Sequence, residues 1–113
     1  MEIVHLPSSA SGAEIAEVLR RDGAVVVDEM VDPGLLDRFF DEMQPFVDAT
    51  PNGSDGFTGF TTRRTGGLLA RSATAQELVM HPSVIATCDD FLGHVTSYQL
   101  HLTQIIDIGP GGE

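Results

Sequence analysis

The sequence predicts an α+β fold in a single domain, with amphipathic helices leading and a long strand closing the chain. Three observations predict it. Asp32 and Pro33 open an apolar stripe (Leu35, Leu36, Phe39, Phe40, Met43, Phe46 and Val47) that repeats with the period of an α-helix. A short β-branched run at 24–27 follows directly on a helix whose two ends are both marked. Residues 95–108 then alternate side to side with the period of a strand.

Taken in order, Ser11 and Glu14 have the spacing of a capping box. Ile15, Val18 and Leu19 fall on one helical face, and Arg20 and Arg21 stand where cations suit a helix dipole. Gly23 can close the turn in a left-handed conformation, so the spacing predicts a helix over 12–22. Residues 24–27 are expected to form a buried strand. Asp32 as acceptor and Pro33 at the first helical position start the next helix. Its apolar stripe is expected to be core, with Asp37, Arg38, Asp41 and Glu42 on the solvated face. Residues 48–64 then read as a loop, because Pro51, Asn52, Gly53, Gly56 and Gly59 interrupt any regular pattern. The plain expectation is an exposed loop pinned by Phe57 and Phe60. The alternative is a substrate-side loop, since Arg63 and Arg64 are side chains suited to clamping a carboxylate.

Residues 65–71 read as a turn or a short strand. Ser72 is placed to cap a helix reaching Met80. His81 precedes Pro82, which starts a further helix with Val84, Ile85, Cys88, Phe91 and Leu92 inward and Gly93 as its stop. His81 is read as a joint between these helices and His5 as part of an irregular N-terminus. In the last strand Tyr98, Leu100, Leu102, Gln104, Ile106 and Ile108 share one face, and Gln99, His101, Thr103, Ile105 and Asp107 the other. The polar members of the second face suit either a ligand-facing wall or an ordinary wet face. No partner strand for this segment is expected within the chain, so its unpaired edges predict a marginal or self-associating polypeptide.

Composition bounds the partners. The chain has 113 residues, 42% of them hydrophobic, enough for one folded core. Seventeen Asp and Glu against six basic residues give a net charge of −11. All six are Arg (20, 21, 38, 63, 64 and 71) and there is no Lys. That balance argues against nucleic acid and against anionic membrane surfaces. Cys88 is the single cysteine, which excludes an internal disulfide framework. The absence of a charged leader or a long apolar run predicts a cytoplasmic chain.

Catalytic signatures are missing. A mononuclear iron site takes two His and one carboxylate on a shared face, with His-x-Asp or His-x-Glu as its local form. The residues two after each histidine are Pro7, Ser83, Thr96 and Thr103, none of them acidic. No nucleophile elbow and no Lys-bearing phosphate loop is present either. No catalytic and no metal-binding residue is therefore assigned.

One ordered set of short motifs nonetheless points to a family. Arg21, Asp22 and Gly23 lead into Val25–Val27; the Asp32-Pro33 helix follows. Then come Arg63-Arg64-Thr65-Gly66-Gly67, Met80-His81-Pro82 and Phe91-Leu92-Gly93, and last the segment from Tyr98 to the Pro110-Gly111 turn. This order resembles the N-terminal part of the phytanoyl-CoA dioxygenase family of iron(II)/2-oxoglutarate oxygenases. The resemblance implies the helices and first strands of a double-stranded β-helix (jelly roll), cut short, with residues 1–113 as the front of a single domain. In that family the His-x-Asp pair that binds iron follows the Pro-Gly turn, and a distal His and a 2-oxoglutarate-binding Arg come later. The resemblance thus implies a parent enzyme that hydroxylates a small organic molecule with Fe(II) and 2-oxoglutarate, while the 113 residues alone are expected to bind neither and to be inactive. It also places Gln99, His101, Thr103 and Asp107, with Arg63 and Arg64 at a loop edge, near the cosubstrate or substrate pocket. The scarcity of positive charge leans away from an acyl-CoA substrate. The rival expectation is a small acidic, non-catalytic binding or structural domain. Neither reading determines an oligomeric state.

Overall fold

The computed structural model describes residues 2–111. In chain order its elements are β1 (His5–Leu6), α1 (Gly12–Asp22), β2 (Val26–Val27), α2 (Pro33–Ala49), β3 (Thr62–Gly66), α3 (Leu68–Arg71), α4 (Ala73–Val79), α5 (Pro82–Phe91) and β4 (Gln104–Ile108). They gather into two compact units, Met1–Pro33 with Glu77–Gln99 and Gly34–Gln76 with Leu100–Glu113. This is a mixture of helices and two small two-stranded sheets.

In the first unit α1 begins and ends as its sequence predicts. Ser11 Oγ accepts from the Glu14 N–H, the Glu14 carboxylate accepts from the Ser11 N–H at 3.2 Å, and Gly23 closes the helix at φ 79°. Ile15, Ala16 and Val18 are buried. The helix lies against α5 so closely that a Cβ on Gly12 would stand 2.5 Å from the Ala86 carbonyl carbon. Arg20 Nη2 donates to both the backbone oxygen and the carboxylate of Asp90 at 2.7 Å, and its guanidinium sits 5.6 Å from the Phe91 ring centre. His81 caps α5: its Nδ1 accepts from the Ser83 N–H at 3.1 Å. A backbone N–H can only donate, so Nε2 must carry the ring proton and donate to the Met30 carbonyl at 3.1 Å. That is the joint residue the sequence suggested.

The strand expected at 24–27 is shorter and wetter than predicted. Only Val26 and Val27 pair, in parallel with His5 and Leu6, and Val26 is 36% exposed. A two-residue ladder leaves little sheet to bury. Its partner came from the segment read as irregular, where His5 Nδ1 also meets the Asp28 carboxylate at 2.8 Å.

In the second unit α2 runs as predicted, but only part of its stripe is core. Phe39, Met43 and Val47 are buried, while Leu36, Phe40 and Phe46 are exposed, Phe40 by 55%. A two-stranded ribbon is too narrow to cover a seven-residue apolar stripe. Glu42, assigned to the solvated face, instead caps α4. Its carboxylate accepts from the Thr74 N–H at 3.2 Å and from the Thr74 hydroxyl. Those bonds, the hydroxyl first, hold its carboxyl below the usual range against the opposing effect of burial. Ser72 Oγ accepts from the Ala75 N–H at 3.0 Å, the helix start its sequence predicts. Residues 68–71, read as turn or strand, form the short helix α3.

Two further expectations need correction. The loop read at 48–64 is shorter: α2 continues to Ala49, and β3 begins at Thr62, so Arg63 and Arg64 lie on a strand. Phe57 and Phe60 do not pin the loop, being 93% and 66% exposed. Its order comes from Asp55, whose carboxylate accepts from the Thr58 N–H at 2.7 Å and hydroxyl at 2.8 Å, and from the Gly53 N–H bond to the Thr62 carbonyl at 2.9 Å. The closing strand is also shorter than 95–108 and it does have a partner. β4 pairs antiparallel with β3, from Thr62 opposite Ile108 to Gly66 opposite Gln104. The ladder stops there because Gly67 turns into the left-handed region at φ 64° and α3 begins. Among the described residues no strand therefore pairs with 99–103.

Candidate functional site

The β3–β4 ribbon carries the polar residues singled out from the sequence, and its register sorts them. Residues directly opposite on an antiparallel pair share a face. Arg63 stands opposite Asp107 and Thr65 opposite Ile105 on one face; Arg64 stands opposite Ile106 on the other. Arg63 Nη1 makes a long contact, 3.5 Å, to the Val47 carbonyl at the end of α2. Asp107 and Ile105 join Phe40, Met43, Gln44 and Val47 around an open cavity of about 270 Å³.

Arg64 belongs to a different place. It lies at the edge of two open depressions of about 340 Å³ each. One is walled by the loop residues Asn52, Gly53 and Thr58; the other by Phe46, Thr50, Pro51, Thr65 and Arg71. The second contains a cation the sequence reading did not single out. The Arg71 guanidinium lies over the Phe46 ring, 4.8 Å from its centre. No local pattern announces that contact, because the partners are separated by a loop and a strand.

The remaining predicted residues serve other ends or stand alone. Thr103 Oγ1 accepts from the Leu68 N–H at 3.1 Å, an N-terminal donor of α3. Gln99 and His101 are exposed and lie ahead of β4. The structure thus brings Arg63 and Asp107 to one face, puts Arg64 on the other, and does not join Gln99, His101 and Thr103 in a polar row, since the row required strand geometry through 99–103.

Among the described residues no group of three or more His, Cys, Asp or Glu lies together in a way that could hold an ion. The described residues do not assemble a ligand set for an iron centre, and no step of iron chemistry is assigned to them. Among the described residues no helix is long and apolar enough to cross a membrane.

Comparison with known proteins points to one class. Along most of its length the chain is similar to proteins named dioxygenases. Over 122 aligned residues it is 30% identical to the dioxygenase FrzG of Cladobotryum sp, an alignment covering 94% of this chain and 40% of that protein. It is 32% identical to the dioxygenase aneA of Aspergillus aculeatus, over 87% of this chain and 36% of that protein. With the dioxygenase swnH2 of Arthroderma benhamiae it shares 30% identity over 68% of this chain and 25% of that protein. The chain thus spans two-fifths or less of the length of these relatives. No protein-family model matches it.

Proposed function

We propose that these 113 residues are the scaffold portion of an iron(II)/2-oxoglutarate-dependent dioxygenase of the phytanoyl-CoA dioxygenase type, acting on a small organic molecule. One observation carries the reading: 94% of the chain aligns with a protein named a dioxygenase that is more than twice its length. The ordered motifs from Arg21 to Gly111 supply the finer assignment. Fe(II) and 2-oxoglutarate are the cofactors of this proposal, on ligands outside residues 1–113, and the jelly roll is the fold that would be completed around the β3–β4 ribbon. What the chain itself contributes is positioning: α2 supports the ribbon, and the ribbon holds Arg63, Arg64 and Asp107 in fixed register. The cytoplasm is the compartment that fits a chain with one cysteine.

The test is to read the gene in frame beyond codon 113. The proposal expects a His-x-Asp pair soon after the Pro110-Gly111 turn, and a distal His and an Arg farther on. A continuing frame that lacks the pair would sink the iron assignment, and a frame closed by a stop codon would favour the acidic, non-catalytic domain.

A further inference from the structure

We propose that Asn52 is a site of spontaneous deamidation, a self-modification held back by the folding of the 52–62 loop. The inference rests on the second unit alone and does not depend on the oxygenase reading. Asn52 is the chain's single asparagine, it is exposed, and Gly53 follows it. An asparagine amide is attacked by the backbone nitrogen of the next residue, and a glycine there has no side chain to shield that nitrogen. The loop requires glycine at this point. A Cβ on Gly53 would stand 2.5 Å from Thr58 Oγ1 and 2.6 Å from the Gly59 carbonyl oxygen. The turn in which Asp55 holds Thr58 thus imposes the Asn-Gly step.

The reaction needs only the chain and water. The Gly53 nitrogen gives its proton to solvent base and bonds to Asn52 Cγ. The Cγ–Nδ2 bond breaks, and Nδ2 takes up a proton and leaves as ammonia. Water then opens the cyclic imide at either carbonyl, giving Asp or isoaspartate. The fold obstructs the first step. The Gly53 N–H donates to the Thr62 carbonyl at 2.9 Å, and Asn52 is bridged antiparallel to Arg63. The nitrogen is free to attack only when this bridge opens, so the native rate follows the open population. The chain's two Asp-Gly steps, Asp22-Gly23 and Asp55-Gly56, are poorer electrophiles. The side-chain bond from Arg21 holds the Asp22 carboxyl below its ordinary range, and the Thr58 N–H, with its hydroxyl, does the same for Asp55. Both therefore stay ionised, and a carboxylate resists attack. The product also has a neighbour. Residues opposite each other across an antiparallel bridge share a face, so a carboxylate at 52 arises on the face that carries Arg63.

The experiment incubates the chain at mildly alkaline pH, folded and in concentrated urea, and follows the tryptic peptide 39–63 by mass spectrometry. Fragmentation locates the mass gain of amide-to-acid conversion and distinguishes isoaspartate from Asp. The proposal expects conversion at Asn52 in both states, with isoaspartate among the products. The folded chain should react about tenfold more slowly or less, the protection of the backbone bond that must open. Asp55→Ala removes the acceptor of the turn and should raise the native rate by about threefold or more, relative to that variant's own denatured rate. A thermal melt checks that Asp55→Ala folds; if it does not, the unaltered chain in urea below its unfolding transition decides, and its rate should rise there. Equal rates in the folded and denatured chain would overturn the proposal. So would a folded chain unconverted after about a hundredfold longer exposure than the denatured chain needs, isoaspartate arising first at Asp22 or Asp55, or a native rate indifferent to the deciding perturbation.

Discussion

At the scale of single residues, two side chains make the structure readable by titration. Tyr98 is the one tyrosine of a chain without tryptophan, so its phenolate signal is unambiguous. Its hydroxyl donates to the Asp89 carboxylate at 2.6 Å. That bond, aided by partial burial and by the negative charge of Asp89, pushes its pKa up to about 12. A raised folded pKa means the contribution to stability is present below the unfolded value near 10 and is lost as pH rises through about 12. Ultraviolet titration of the native chain should show the midpoint near the higher value, and titration in denaturant should return it to the ordinary one. Coincident native and denatured midpoints would mean that the Tyr98–Asp89 bond does not form in solution. Glu42 has the opposite sign. Its folded carboxyl titrates below the ordinary glutamate value, so its contribution is present above that value and is lost as pH falls through the depressed one. Glu42→Gln should lower the melting temperature at neutral pH, and the difference from the Glu42 protein should vanish on acidification, which melts of the two proteins across the acid range will show.

At the scale of elements, the contact between α1 and α5 sets a sharp test. Alanine in place of glycine in a helix normally gains up to about 1 kcal/mol. At Gly12 the added methyl would meet Ala86 backbone atoms at 2.5–2.6 Å, and backbone cannot swing aside. Overpacking of that kind costs about 1–3 kcal/mol and outweighs the propensity gain. Gly12→Ala should therefore destabilise the chain by about 1 kcal/mol or more in urea unfolding, whereas an unchanged or higher midpoint would show that the helices part easily. The elements also mark where sequence reading succeeds. The limits of α1, the start of α2 and the Ser72 cap were legible because each is set within four residues by caps, Pro or Gly. The length of β4 was not, because it is decided by where β3 ends at Gly66, far away in the chain. Glu42 capping Thr74 is invisible for the same reason. Of the candidate site, Arg63, Arg64 and Asp107 were legible as residues. Their division between two faces needed the register, and Arg71 needed the packing of α3 against Phe46.

At the scale of the whole molecule, the chain displays apolar side chains along its last segment. Leu100, Leu102, Ile106 and Ile108 are 53%, 62%, 50% and 57% exposed. Contiguous apolar surface beside sheet edges promotes association. Sedimentation of the isolated chain should show concentration-dependent self-association that Ile106→Lys with Ile108→Lys relieves; a monomer at all concentrations would show that this surface is inert. The central claim concerns what the protein does, and 2-oxoglutarate turnover tests it most directly. The protein translated from the full reading frame that contains residues 1–113 should release succinate from 2-oxoglutarate in an iron(II)-dependent manner when offered its small organic substrate. Folded, iron-loaded protein that forms no succinate across a broad panel of small organic acids and neutral compounds would contradict it.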